Sequence, residues 1–327
     1  MKLTRLAGIA LWTALAAAGD CAARANRHVP PRLRVRSPDL SRPLHERQPG
    51  SATPHDEVSR AVFRRINADR AAAGAAPVEW DEGAARVARR FCEAQIRERT
   101  RGHFLTDGVP PYARTALAGL FGVQAENSTM WLTTAREFQK SIVDLALDAH
   151  ADMMGERPPE DGHRHTILDP DATHVGVGWA AEAGSFRMAQ EFLTRRLEDL
   201  TLTRVAEAPA TIRIEGKVAS SYRLEFVTFA HEPSPRALTK SEANARTSYG
   251  YPPPRLAYVE EGRSSLHVVG AETEDRVRLT KSGEFSFRFT PTLAGLWTIL
   301  VYTRDGRTEP RPGGLAVLWM EDGGAAP

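Results

Sequence analysis

Residues 174–193, HVGVGWAAEAGSFRMAQEFL, decide the fold of this chain. Two runs with strand character, 174–180 and 185–193, flank the glycine-containing turn AEAG, which is typical of a β-hairpin. Helix-type sequence precedes this hairpin along the chain. The order predicts a mixed α/β domain that ends near residue 196.

Three helices are predicted before the hairpin. Residues 56–74 carry apolar residues at helical spacing and stop at Gly74, and residues 81–99 begin at Asp81, a preferred N-cap residue. A third helix is predicted over residues 134–154, where apolar residues recur on one stripe.

Beyond about residue 205 the pattern changes to short runs of period-two alternation separated by turn residues. Phe285, Phe287 and Phe289 alternate with polar residues, and we interpret them as core. This spacing predicts a β-sandwich that resembles an immunoglobulin-like domain. The predicted strands are ATIRIEGKV (210–218), SYRLEFVTF (221–229), SLHVVGA (265–271), DRVRLT (275–280), GEFSFRFT (283–290), LWTILVYT (296–303) and GLAVLW (314–319).

Length and composition fit a folded chain of two domains. It has 327 residues, of which 42% are hydrophobic, and its formal net charge of +2 gives no argument for a nucleic-acid partner. The fold class is therefore α+β, a mixed N-terminal domain of helices and strands followed by an all-β sandwich. We divide the chain into a signal peptide (1–25), a Pro/Arg-rich linker (26–55), an α/β domain (56–200) and a β-sandwich domain (205–322).

The N-terminus has the pattern of an export signal. Positive charges in MKLTR precede LAGIALWTALAAAG, an apolar run too short for a transmembrane span. The protein is expected to be secreted or periplasmic, and no transmembrane helix is expected in the mature chain. Cys21 raises the alternative of a lipoprotein, which Asp20 directly before it disfavours. The only other cysteine, Cys92, is interpreted as a buried core thiol.

Four motifs between residues 57 and 196 resemble the CAP superfamily, also called SCP, in its bacterial form. This superfamily includes the cysteine-rich secretory proteins, insect antigen 5 and plant pathogenesis-related proteins. The matching residues are Asn67, Arg70, Gly74, Pro77 and Trp80 in the opening segment, GHF (102–104), AENS (125–128) and GHRHTILDPDATHVGVG (162–178).

The resemblance implies an α-β-α sandwich with a cleft that holds two histidines and two acidic residues. Carried over by position, His103 is the first histidine, Glu126 the first acid and His163 the second histidine. The second acid has no clear match, and the residues nearby that could replace it are Asp152, Glu156 and His150.

These residue types allow two chemistries. Two neutral imidazoles and a carboxylate suit a divalent metal such as zinc, with His103, His163 and Glu126 as candidate ligands. Imidazole–carboxylate pairs can also hydrogen-bond without metal, which makes the cleft a polar binding surface. Purely structural roles for each of the three residues also stay open, such as a loop hydrogen bond for His103.

Three functions follow, and the sequence leaves all three open. The first is a secreted binding protein whose cleft takes a divalent metal or a small apolar or lipid ligand, with a role at the envelope or outside the cell. The second is a metal-dependent hydrolase that uses the same cleft, although neither an HExxH helix nor a GxSxG elbow is present. The third is a structural protein anchored to the envelope or to carbohydrate. A lipid or envelope component is the expected partner, and the oligomeric state is left open.

Overall fold

The computed structural model describes residues 33–35, 56–134, 138–205, 208–263, 265–306 and 309–322. The predicted signal peptide, Cys21 and all but three residues of the predicted linker lie outside these ranges. The described residues belong to one compact unit. The boundary predicted between residues 200 and 205 stays a prediction.

Within the described residues the chain forms six helices. They are α1 Glu57–Ala72, α2 Glu82–Glu98, α3 Pro111–Leu117, α4 Ile142–Gly155, α5 Gly162–Leu168 and α6 Lys240–Ala245. Asp81 caps α2 as predicted, since its carboxylate accepts a hydrogen bond from the amide of Ala84 at 2.6 Å. The third predicted helix is wrong at its start, because Ser141 caps α4 and the described residues before it are not helical.

The same residues form thirteen strands in two sheets. The strands are β1 Leu33–Val35, β2 Glu79–Trp80, β3 Val123–Leu132, β4 His174–Glu182, β5 Ser185–Thr194, β6 Leu197–Val205, β7 Ala208–Val218, β8 Arg223–Glu232, β9 Leu256–Glu260, β10 Glu272–Leu279, β11 Glu284–Phe289, β12 Gly295–Arg304 and β13 Arg311–Asp322. The predicted hairpin is β4 and β5. The run SLHVVGA is not a strand, and β6 and β9 were not predicted.

The smaller sheet has the order β2-β4-β5-β3 and lies between two layers of helices. Helices α1 and α4 pack on one face, and α2 packs on the other. Two glycines of β4 permit the close approach of α2. A Cβ atom would lie 2.0 Å from the backbone nitrogen of Ala85 if built on Gly176, and 2.1 Å from that of Arg89 if built on Gly178. The predicted α-β-α arrangement follows from this packing.

The larger sheet has nine strands in the order β1-β13-β12-β8-β9-β10-β11-β7-β6. Its two ends approach each other, because β6 contacts β13 and β1 contacts β7. The curled sheet encloses an apolar core that contains Phe285, Phe287 and Phe289, as predicted. The class of mixed α and β structure is confirmed.

The prediction of an immunoglobulin-like sandwich is not confirmed. The strands pair in one continuous order instead of two separate sheets, and β9 and β10 run parallel. Register shifts in several strand pairs, including β9–β10 and β8–β12, mark bulges, which bend a strand and increase its twist. The sheet therefore comes close to a barrel.

In the described residues, no helix is both long enough and apolar enough to cross a membrane.

Candidate functional site

A cleft of about 510 Å³ opens at the edge strand β3 of the smaller sheet. Three of the residues predicted from the motifs line it: His103 from the loop after α2, Glu126 from β3 and His163 from α5. Glu156, one of the three candidates for the second acid, also lines the cleft. The other lining residues are Gln124, Ala125, Asn127, Glu160, Gly162, Thr166, Thr247, Ser248, Tyr249, Gly250 and Tyr251.

His103 and Glu126 form the first imidazole–carboxylate pair. The Nδ1 atom of His103 lies 2.8 Å from Oε1 of Glu126, and the other oxygen of Glu126 lies 2.5 Å from Nη2 of Arg114. The carboxylate of Glu126 has no exposed surface, so Arg114 is its counter-ion inside the protein. Arg114 comes from α3 and also stacks on Phe91, with 3.9 Å from its guanidinium carbon to the ring centroid.

The tautomer of His103 follows from this contact. Burial, with Arg114 nearby as a second cause, lowers the pKa of His103 to about 4, so its ring is neutral at neutral pH. A neutral ring beside a carboxylate carries its proton on Nδ1, which donates to Glu126. The Nε2 atom is then a hydrogen-bond acceptor.

A second buried carboxyl lies beside Glu126. Glu191 on β5 is the direct cross-strand partner of Glu126 on β3, and both side chains are buried. Burial, and then the charge of Glu126, raises the pKa of Glu191 well above its ordinary value. The raised pKa favours the protonated form of Glu191 beside Glu126, and Oε2 of Glu191 accepts from Nε2 of Gln124 at 2.6 Å.

His163 and Glu156 form the second imidazole–carboxylate pair. The Nδ1 atom of His163 hydrogen-bonds to Oε1 of Glu156, and the backbone amide of His163 donates to Oε2 at 2.9 Å. Glu156 directly follows α4, and His163 lies at the start of α5. The geometry therefore matches the first pair, with a carboxylate on Nδ1. Asn127 on β3 holds α5 in place by donating to the carbonyl of His163 at 3.1 Å.

The other two candidates for the second acid lie elsewhere. His150 is fully buried, where Nδ1 lies 3.0 Å from Nε2 of Gln190 and Nε2 lies 2.9 Å from Oδ2 of Asp69. Asp152 is exposed on α4. Neither side chain lines the cleft.

The segment of residues 247–251 forms one wall of the cleft, although it lies more than 50 residues beyond the hairpin. The backbone amide of Glu126 donates to the hydroxyl of Tyr249 at 2.6 Å. The hydroxyl of Tyr251 accepts from the amide of Gln124 at 2.8 Å and donates to its carbonyl at 2.9 Å. These hydroxyls satisfy backbone groups that an edge strand would leave unpaired. The ring of Tyr249 also meets that of His103 edge-on, at 5.0 Å between centroids.

The donors of the cleft do not fit a resident zinc ion. Zinc takes three or four protein ligands, and each imidazole with a carboxylate on Nδ1 is oriented as zinc-bound histidines are. Both carboxylates are already engaged, however, and Arg114 adds a positive charge beside Glu126. Among the described residues, no group of three or more histidine, cysteine, aspartate or glutamate side chains is placed to hold a metal. No metal-dependent step follows from this arrangement.

Four residues of the network were not predicted from sequence: Arg114, Glu191, Tyr249 and Tyr251. One of them had a local signal, because Glu191 interrupts the apolar run of β5. The tyrosines alternate in TSYGY, which places both hydroxyls on the same side, but their partner strand lies more than 120 residues earlier.

An α-β-α sandwich whose cleft holds two histidine–glutamate pairs is the architecture that the resemblance to the CAP superfamily implies. Residues 63–192 match the model of the CAP family, described as the cysteine-rich secretory protein family. This part of the chain is therefore a CAP domain, and the resemblance seen in the four motifs is confirmed.

Several solved structures are similar to this chain, including the following two. An outer surface protein of Borrelia burgdorferi is 16% identical, and the match covers 45% of this chain and 98% of that one with a TM-score of 0.36. An extracellular protein of Bacillus anthracis that contains an SCP domain is 17% identical, and the match covers 45% of each chain with a TM-score of 0.32. Both likenesses are too distant to carry an argument about function. No curated protein matches the chain significantly.

Proposed function

We propose that this protein is an exported binding protein whose cleft holds a small, largely apolar molecule that carries a hydroxyl group. The observation that carries the proposal is the pair of imidazoles in one cleft, each with Nδ1 on a buried or half-buried carboxylate. In the neutral state both rings then present Nε2 as an acceptor. A ligand hydroxyl can donate its single proton to one of these two nitrogens.

The walls of the cleft support an apolar body for the ligand. The rings of Tyr249 and Tyr251 and the methyl group of Ala125 line it between the two histidines. Its volume of about 510 Å³ lies in the range of roughly 300–1,000 Å³ that small-molecule sites occupy. Aromatic and aliphatic walls with a few convergent polar groups are typical of such sites.

The charges of the cleft favour a neutral ligand over an anion. Glu126, Glu156 and Glu160 line the cleft, and Arg114 already balances Glu126. An anion would therefore meet uncompensated carboxylates and two nitrogen acceptors. We therefore expect the cleft to bind a fatty-acid anion more weakly than the alcohol of the same chain length.

Export rests on the N-terminal pattern of positive charge and short apolar run. The proposed location is outside the cytoplasm, secreted or periplasmic, where apolar alcohols and lipids of the envelope are available as partners. No specific observation favours hydrolysis, because Ser248 lines the cleft but its hydroxyl makes no hydrogen bond to either imidazole among the described residues.

Titration calorimetry with 1-decanol and with decanoate at pH 8 tests the proposal. We expect 1-decanol to bind at one site and decanoate to bind at least about tenfold more weakly, which is about 1.4 kcal/mol. The double variant His103→Phe/His163→Phe keeps two rings of similar size and removes both acceptors. It should bind 1-decanol roughly two- to tenfold more weakly, because the one hydrogen bond that the hydroxyl donates, worth about 0.5–1.5 kcal/mol, is lost.

His165→Phe is the matched control, since His165 lies on α5 two residues after His163 and its side chain is 78% exposed. Its affinity for 1-decanol should equal that of the natural chain. Equal affinity of the double variant, or tighter binding of decanoate, would contradict the proposal. Titration with zinc in place of the alcohol tests the metal hypothesis. Zinc binding at one site in the natural chain that is absent from the double variant would support that hypothesis.

A further inference from the structure

Arg187 is a buried cation without an anionic partner among the described residues. It lies in β5 between its cross-strand neighbours Met130 and Ala180, and only 5% of it is exposed. Arg187 takes part in no ion pair within the described residues. A buried charge without a counter-ion costs several kcal/mol, so its presence needs a physical reason.

The hydrogen bonds of Arg187 leave part of its guanidinium group unsatisfied. Its Nη1 donates to Oγ of Ser185 at 2.8 Å and to the carbonyl of Phe186 at 3.1 Å. Its Nη2 reaches the carbonyl of Thr100 at only 3.5 Å, and Nε has no partner in the described structure. Every acceptor is neutral, and burial lowers the pKa of Arg187.

A second pocket of about 560 Å³ opens at this guanidinium group, between the end of α2 and the turn from β4 to β5. Arginines 97, 99, 101 and 187 line it, and Glu182 is the single acidic residue in its lining. Thr100 is 1% exposed, and its hydroxyl, like Nε of Arg187, has no partner in the described part of the chain. Nε of Arg187 and the hydroxyl of Thr100 are therefore two buried groups without hydrogen-bond partners in the described residues, at a pocket with an excess of positive charge.

We propose that this pocket binds a phosphate group, with Arg187 as the buried anchor and Arg99 and Arg101 at the rim. A guanidinium group matches phosphate oxygens in geometry, and its hydrogen bonds to phosphate are charge-assisted. The lining residues carry an excess of three positive charges, four arginines less one glutamate, and a phosphate dianion balances two of them. This site shares no lining residue with the histidine cleft and does not depend on its function.

The phosphate has two sources with the same chemistry, a free phosphate ion and the headgroup of a lipid. Leu132 lines the same pocket and is 64% exposed, and Met130 lies beside it in β3. An exposed apolar side chain at the rim of a phosphate site suits an acyl chain. The two sources differ in whether Leu132 contributes to binding.

Titration of inorganic phosphate at constant ionic strength, set with chloride, tests the site. We expect the natural chain to bind phosphate and Arg187→Met to bind it at least tenfold more weakly. Arg90→Met is the matched control, because Arg90 is exposed on α2 and the same charge is lost. Its affinity should not change. In phosphate-free buffer Arg187→Met should be as stable as the natural chain or more stable, because an uncompensated buried charge is removed.

The rim provides a second test that does not alter the buried residue. Arg99→Gln/Arg101→Gln should also weaken phosphate binding at least tenfold while the protein stays folded. Vesicles of phosphatidic acid with phosphatidylcholine separate the sources. Binding to them that is lost in both Arg187→Met and Leu132→Ser supports a lipid headgroup, and phosphate binding with no vesicle binding supports the free ion.

Three results would overturn the proposal. The first is no phosphate binding by the natural chain. The second is unchanged phosphate affinity in the rim variant or in Arg187→Met. The third is strong destabilisation of Arg187→Met in phosphate-free buffer, which would show that Arg187 serves only to bind the carbonyl groups near the end of α2 or a carboxylate of the chain itself.

Discussion

Replacing Arg114 with methionine is expected to lower the free energy of unfolding at pH 7 by about 3–5 kcal/mol. Arg114 is the counter-ion of Glu126, whose side chain has no exposed surface and lies against a second carboxyl, Glu191. Without Arg114, Glu126 must either keep an uncompensated buried charge or take up a proton at neutral pH. Urea unfolding followed by circular dichroism measures the loss.

The double variant Arg114→Met/Glu126→Gln should recover most of the lost stability, because it removes the charge that Arg114 balances. Arg86→Met is the matched control, since Arg86 is exposed on α2. Surface changes of this kind shift stability by about 0.5 kcal/mol or less. A loss below about 1 kcal/mol in Arg114→Met, or no recovery in the double variant, would show that Glu126 does not carry the buried charge.

Replacing Glu191 with glutamine is expected to remove a pH dependence of stability. The pKa of Glu191 is raised in the folded protein above its ordinary value of 4.5, so the folded state binds the proton more tightly than the unfolded state. The contribution of Glu191 to stability therefore falls as pH rises above about 4.5, by up to about 1.4 kcal/mol per pH unit for one proton. Glutamine keeps the size of the side chain and an oxygen that accepts from Gln124, and it has no proton to titrate.

The difference in unfolding free energy between Glu191→Gln and the natural chain should grow from pH 5 to pH 8. The contribution of His103 has the opposite sign and is present in both proteins. Taking the difference removes most of it, because Glu191 is only the third cause of the pKa shift of His103. The pKa of His103 is lowered to about 4, so its contribution to stability is lost as pH falls from 6.5 towards 4. A difference that stays constant between pH 5 and pH 8 would mean that Glu191 is ionised in the folded protein.

Local patterns were sufficient to predict much of the CAP domain. Helix α2 begins at its capping residue Asp81, and the period-two runs on either side of AEAG form β4 and β5. Caps and alternation act over a few residues, so they can be read without tertiary structure. The order of the four motifs along the chain indicated the family, and the family implied the topology, which no single segment specifies.

The partners of Glu126 could not be predicted in the same way. Arg114, Glu191 and Tyr249 lie 12, 65 and 123 residues from it, and only the sheet register and the path of the segment before β9 bring them together. The curl of the nine-stranded sheet was missed for a similar reason. Alternation identifies a strand but does not specify its neighbours, and bulges decide how far the sheet bends.

The central claim is that His103 and His163 both present Nε2 as an acceptor to one ligand in the cleft. Nitrogen-15 spectra of histidine-labelled protein at pH 8, assigned with the two single phenylalanine variants, test it most directly. For both rings the account predicts a protonated Nδ1 and an unprotonated Nε2. It also predicts that 1-decanol shifts the Nε2 resonance of at least one ring, because the hydroxyl has one proton to donate. A proton on Nε2 of either ring, or Nε2 resonances that 1-decanol leaves unchanged, would contradict the account.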